Sequence, residues 1–159
     1  MRFFTRLRGD CNGTNLVEAA LITPLLLLLT FAIVDFAGVF YVYLALENGV
    51  SQATRFAVVG ANADDPNNPG TNLNRTDSIK LAMRQATPTL TIPDSDFTFS
   101  HLSAGGGAWV AGPGTSGDVE KVTIDHTWSI MTPLIRPFFT NGQLVLEVSS
   151  AMKNEGWAN

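Results

Sequence analysis

Two carboxylates lie at the ends of an apolar run near the amino end of this chain of 159 residues. Glu18 and Asp35 flank residues 19–34, which contain no charged side chain. An ionisable group in a membrane helix costs about 2.5–3.5 kcal/mol on insertion scales, so both acids are candidates for function in assembly. Asp35 lies ~25 Å beyond Glu18 by helical rise. There it would either reach lipid headgroups or meet a polar partner on another helix.

A small-residue junction, Gly13–Thr14, precedes this run and gives Glu18 a candidate partner. A secretory signal is normally cleaved after its apolar stretch, whereas this junction lies before it. Cleavage after Gly13 would leave the apolar helix on the product and expose an α-amine on Thr14, one helical turn from Glu18. We expect Glu18 to pair with this amine or with that of a neighbouring subunit. The alternative is a headgroup-level charge without a partner.

The remaining polar side chains do not form a recognisable catalytic set. His101 and His126 are the two histidines, and two ligands are too few for a zinc site. Asp125 adjoins His126 but points to the opposite face of a strand. Asp64 and Asp65 lie in a loop whose prolines do not fit the ligand spacing of a calcium loop. We therefore expect no enzyme activity, no cofactor and no metal.

The apolar run extends from Leu16 to about Leu46, interrupted by Asp35. A membrane span needs roughly 20 mostly apolar residues to cross ~30 Å of hydrocarbon. A segment that starts near Val17 meets this need by about Phe36 or Gly38. Pro24 is expected to bend it.

Charge is distributed unevenly along the chain. Residues 1–13 form a basic leader with three of the ten Lys and Arg residues, which leaves seven basic against thirteen acidic residues in the remainder. Basic residues before the span predict a cytoplasmic amino terminus and an extracytoplasmic domain. The acidic remainder disfavours nucleic acid as a partner.

The helix is expected to continue beyond the membrane. Val50, Ala53 and Ala57 form one apolar stripe, and Gly60 is suited to end the helix. The sequence thus predicts a transmembrane and extended helix over 14–60. The alternative is an anchor followed by a separate short helix, with a break at Asn48–Gly49.

Residues 61–159 are predicted to form a small extracytoplasmic α+β domain. After a surface loop, Thr76 or Asp77 is expected to cap a short helix that ends near Thr87. Alternating apolar residues then predict about three antiparallel strands, around 97–101, 122–130 and 144–148. The glycine-rich segment 104–117 is expected to connect the first two.

Gly13, Glu18 and the leucine-rich span match the class III signal that prepilin peptidases cut. The wider pattern, with Leu16-Val-Glu-Ala-Ala, Val34-Asp-Phe-Ala-Gly and Gln52-Ala-Thr-Arg-Phe-Ala, resembles the TadE-like minor pilins, or pseudopilins, of the tight-adherence (Flp pilus) machinery. The resemblance is strong over 13–60 and looser over 144–155. It implies leader removal by a prepilin peptidase and a role in pilus assembly for adherence. The domain is too large for a major Flp subunit, which favours the minor class.

The resulting hypothesis is a single-pass pseudopilin of the bacterial inner membrane, which would enter a pilus or only prime its assembly. Its expected partners are a prepilin peptidase, other minor pilins, inner-membrane assembly proteins and membrane lipid. The apolar segment 133–139 would contact other minor pilins or pack locally over the sheet. The main alternative is an uncleaved, membrane-tethered binding domain, and an anchored hydrolase or metal enzyme is a weaker third.

Overall fold

A computed structural model describes residues 11–157, with side chains from Gly13 onward, so most of the leader (residues 1–10) lies outside the described residues. The described part is an α+β structure, as the sequence predicts. Its helices and strands are α1 (Cys11–Val59), α2 (Arg75–Ala86), β1 (Phe97–Leu102), β2 (Val110–Ala111), β3 (Val119–Ser129) and β4 (Gln143–Lys153).

Helix α1 is continuous over 49 residues, or ~74 Å at 1.5 Å per residue. The alternative of a break at Asn48–Gly49 is therefore wrong. Gly49 lies where α2 crosses α1: a Cβ added there would come within 2.5 Å of Thr87 Cγ2 and 3.3 Å of Met83 Cε. The glycine thus allows two helices to pack closely. Gly60, with φ of +71°, follows the helix end as expected.

The sheet has four antiparallel strands in the order β2-β1-β3-β4. The long β3–β4 pair runs from Val119 opposite Lys153 to Ser129 opposite Gln143. These strands and β1 confirm the three predicted from alternation. Strand β2 was not predicted, because its two residues lie in the glycine-rich connection and are extended only through pairing with β1.

The hydrophobic core lies between the second half of α1, helix α2 and one face of the sheet. The predicted stripe of Val50, Ala53 and Ala57 is buried. The core also contains Val42, Leu46, Ile79, Met83, Val122, Ile124, Leu146 and Val148. Helix α1 is therefore both the apolar amino-terminal segment and a structural element of the domain.

Helix α2 begins two or three residues earlier than predicted. Its N-cap is Asn74, whose side-chain oxygen accepts a hydrogen bond from the Asp77 N–H at 2.8 Å. The Asn74 amide donates in return to the Asp77 carboxylate at 2.8 Å. The expected cap at Thr76 or Asp77 is therefore wrong, because Asp77 takes the third helical position of a reciprocal cap instead.

A buried ion pair joins the sheet to both helices. Arg75 Nη2 donates to Glu120 Oε2 at 2.5 Å and to the Ala57 carbonyl at 2.9 Å. Glu120 is fully buried. The Trp157 ring covers the guanidinium at 4.6 Å, and its indole N–H donates to the Val58 carbonyl at 3.0 Å. These contacts hold the carboxyl end of α1 against Arg75 of α2 and Trp157 near the end of the chain.

The connection that precedes β3 is held by Asp118. Its carboxylate accepts hydrogen bonds from the Thr115 N–H and hydroxyl, both at 2.8 Å, and from the Ala104 N–H at 3.0 Å. The Thr115 amide contributes most to lowering the pKa of Asp118 below its ordinary value. The ionised side chain therefore stabilises this connection.

Candidate functional site

The first half of α1 is not covered by the domain. From Thr14 to Val34 every residue is exposed except Leu28 and Ala32, which are half-buried. These 21 residues extend ~32 Å, which matches the ~30 Å hydrocarbon thickness of a bilayer. By length and composition, α1 is able to cross a membrane. The domain begins to cover the helix at Asp35.

Asp35 joins this uncovered segment to the domain. Its side chain is buried, with 4% of its surface exposed. One carboxylate oxygen accepts the Met131 N–H at 3.0 Å and the other accepts the Thr132 N–H at 3.1 Å. The sequence suggested lipid headgroups or another helix as partners. The structure instead places the Asp35 carboxylate on backbone donors of its own chain, in the β3–β4 connection.

An apolar cleft of about 240 Å³ adjoins this contact. Its walls come from α1 and from the β3–β4 connection, and include Ala32, Asp35, Phe36, Val39, Ile130, Ile135, Phe139 and Leu144. The segment 133–139 therefore packs locally on α1 through Ile135 and Phe139. Leu134 and Phe138 point away from this packing, with 51% and 76% of their surfaces exposed.

The predicted processing residues Gly13 and Thr14 lie in α1 near its amino end, one turn before Glu18. All three are exposed, and they share a shallow groove with Val17 and Leu21. Among the residues with described side chains, no ion pair includes Glu18. The site thus presents an exposed carboxylate within an apolar segment, one turn from the predicted cleavage position.

An apolar face of α1 continues beyond Asp35. Phe36, Phe40 and Leu44 are spaced four residues apart, so they lie on one side of the helix. All three are at least half exposed. This face, which we call the outer helix stripe, was not identified from the sequence. Residues 36–46 are uncharged throughout, so the sequence pattern does not distinguish the residues that the domain covers from those that it leaves exposed.

The two histidines do not form a joint site. His101 Nδ1 lies 3.0 Å from the Gly112 carbonyl, and His126 Nδ1 lies 3.0 Å from the Asp96 carboxylate. His101 pairs with Glu120 in the sheet, which is six residues, or ~20 Å, from His126 along β3. Within the described part of the chain, no group of three or more His, Cys, Asp or Glu side chains is placed to hold a metal ion.

Comparison with known proteins agrees with the resemblance seen in the sequence. Residues 13–55 match the family model described as TadE-like protein. The matched segment contains the predicted cleavage junction, both apolar-segment carboxylates and the outer helix stripe. No curated protein and no solved structure matches the chain. The match covers residues 13–55, about a quarter of the chain.

Proposed function

We propose that this protein is a minor pilin of a tight-adherence type machinery, made as a precursor in the bacterial inner membrane. A prepilin peptidase removes residues 1–13, and α1 stays on the product as its anchor. The domain lies on the extracytoplasmic side and acts without catalysis. The mature protein takes part in pilus assembly for adherence together with other minor pilins and inner-membrane assembly proteins.

The observation that best supports this proposal is that one helix, α1, has an uncovered part before Asp35 and a part within the domain after it. An anchor for a tethered domain needs only the ~32 Å segment from Thr14 to Val34. Here the same helix continues without interruption into the domain core, as far as Val59. A movement of the helix along its axis is therefore transmitted directly to the domain, which suits a subunit that is moved during assembly.

The outer helix stripe offers a contact surface for such assembly. Phe36 lies at the predicted hydrocarbon boundary, Phe40 and Leu44 lie beyond it, and the domain leaves all three exposed. Large exposed apolar patches on soluble surfaces commonly mark protein contacts. We infer that the stripe packs on the helix of another subunit.

We propose that Glu18 sets the axial offset between the two helices that make this contact. An unpaired carboxylate within the hydrocarbon region is unfavourable. After cleavage, the Thr14 α-amine of a neighbouring subunit supplies a cation that is able to pair with it. The pair forms only at one axial offset between the two helices, so it selects that offset.

Cleavage is tested by co-expressing the chain with an active prepilin peptidase and measuring its intact mass. We expect loss of Met1 to Gly13, and Gly13→Leu should block it. Gly9→Leu, which places the same side chain elsewhere in the leader, is the control and should still be cut. An unchanged mass in the presence of demonstrably active peptidase would contradict the proposal and favour the uncleaved tethered binding domain.

The role of Glu18 is tested by Glu18→Gln, which keeps the size of the side chain and removes its charge. Membrane insertion should be unchanged, whereas co-purification with the assembled machinery should fall. Glu147→Gln changes an exposed acid on β4 and serves as the control. Equal incorporation of both variants would refute the proposed pairing.

A further inference from the structure

The β3–β4 connection is unusually long and apolar for a link between two paired strands. Ser129 and Gln143 are paired partners, yet thirteen residues separate them, where a tight hairpin needs two. Four large apolar side chains of this connection are exposed: Met131, Leu134, Phe138 and, to a smaller extent, Phe139. We call residues 131–139 the apolar flap.

The apolar flap has a defined conformation. Asp35 accepts the N–H groups of Met131 and Thr132, and Arg136 Nε donates to the Ile130 carbonyl at 2.9 Å. Successive turns follow, with the Ile135 N–H donating to Thr132 and the Phe139 N–H donating to Arg136. These hydrogen bonds fix the backbone of the flap, and in this conformation Met131, Leu134 and Phe138 are exposed.

The same contacts fix the position of the flap along α1. Asp35 is 21 residues, or ~32 Å, from Thr14, which is where a span beginning at Thr14 leaves the hydrocarbon. Ile135 and Phe139 line a cleft with Ala32 and Phe36 of the helix. The flap thus lies beside the last turn of the predicted span and the first turn beyond it.

Charge along the flap suits a lipid surface. No acidic residue occurs between Asp125 and Glu147, although the rest of the domain is rich in acids. The flap has one charged residue, Arg136, and this side chain is exposed. A cation beside exposed apolar groups fits the boundary between phosphate headgroups and acyl chains.

We propose that the apolar flap is a second membrane contact, in which Met131, Leu134 and Phe138 enter the interfacial region of the extracytoplasmic leaflet. The inference rests on the proposed function only in that α1 spans the bilayer with the domain on its extracytoplasmic side. A helix alone leaves the domain free to rotate about the membrane normal and to tilt. A second contact at the level of Asp35 restrains the domain against the membrane surface before assembly.

The test places a polarity-sensitive fluorophore at single cysteines in the full chain, with Cys11→Ser as background. The chain is reconstituted at one copy per phosphatidylglycerol-containing lipid nanodisc. Leu134→Cys probes the flap. Val110→Cys is the matched control, since both side chains have 51% exposure and β2 lies toward the far end of α1. Leu25→Cys lies near the middle of the uncovered segment, and lipids that carry a quencher deep in the acyl chain report there whether α1 is in the bilayer.

We expect lipids that carry a quencher near the headgroup to quench the probe at position 134 several-fold more strongly than the probe at position 110. Iodide in the aqueous phase should quench the probe at position 110 more strongly than the probe at position 134. Equal iodide quenching at both positions, with the probe at 25 quenched by lipid, would overturn the flap proposal and leave the span intact. Shielding of position 134 from both quenchers would also overturn it, by indicating a protein contact. No lipid quenching at position 25 would instead refute the membrane span itself.

Discussion

Replacing Asp35 by Asn tests whether this carboxylate holds the apolar flap on α1. Asn keeps one oxygen acceptor but presents an NH₂ group to the second backbone N–H. Hydrogen bonds to a charged group contribute about 1.5–3 kcal/mol each, and the buried position of Asp35 limits compensation by water. We expect the flap to open more easily by about this amount. Since 1.4 kcal/mol corresponds to a factor of ten, exchange of the Met131 and Thr132 amides should accelerate about 10- to 100-fold.

The measurement is hydrogen exchange of the full chain in nanodiscs, followed by mass spectrometry of peptides that cover residues 130–139. Asp125→Asn removes the charge of an exposed carboxylate on β3 and should leave these peptides unchanged. Peptides from the centre of β3 provide an internal reference, because local opening of the flap does not require the sheet to unfold. Unchanged exchange in Asp35→Asn would show that this carboxylate does not hold the flap on α1. An equal acceleration across the domain would show that Asp35 supports global stability rather than the flap.

Three further predictions concern the domain. Glu120→Ala should lower the free energy of unfolding by up to about 3–5 kcal/mol, because Arg75, whose side chain is only 17% exposed, loses its partner. Denaturant unfolding in detergent, followed by tryptophan fluorescence, measures this, and a loss below about 1 kcal/mol would contradict it. Gly49→Ala should destabilise the protein, since overpacking at about 1–3 kcal/mol exceeds a helix-propensity gain of about 1 kcal/mol. Adding Thr87→Ser, which removes the clashing methyl group, should restore stability, and no rescue would refute the packing argument. The lowered pKa of Asp118 means that its contribution is present above the ordinary Asp pKa of ~3.9 and is lost as pH falls through the folded-state value. Asp118→Asn should therefore show a smaller fall in Tm between about pH 6 and pH 3 than the wild type, and an equal fall would contradict this role.

Local patterns predicted much of the fold. The stripe of Val50, Ala53 and Ala57 predicted a long helix with a buried face, and Gly60 predicted its end. Alternating residues located three of the four strands. Gly49 was harder to interpret, because a glycine within a helix pattern signals either a break or a close contact. The position of Thr87 beside Gly49, which results from the tertiary fold, shows that the glycine marks a close contact.

The contact of Asp35 illustrates what the sequence does not reveal. Its partners, Met131 and Thr132, are 96 and 97 residues away. They offer backbone N–H groups, which every residue except proline has, so no side-chain motif marks them. The hydropathy pattern correctly identified Asp35 as unusual for its surroundings. It did not identify the partner.

The same contact marks the turn of α1 at which the uncovered segment ends and the domain begins. An acid at the outer end of a span is often accommodated by lipid headgroups or water. Here the Asp35 carboxylate is buried against the domain, so the domain is fixed at the helical turn where the uncovered segment ends. Because Ile135 and Phe139 of the flap pack beside that turn, a change in the depth of α1 in the bilayer also changes the depth of the flap. Withdrawal of the helix during assembly would therefore remove Met131, Leu134 and Phe138 from the lipid at the same time.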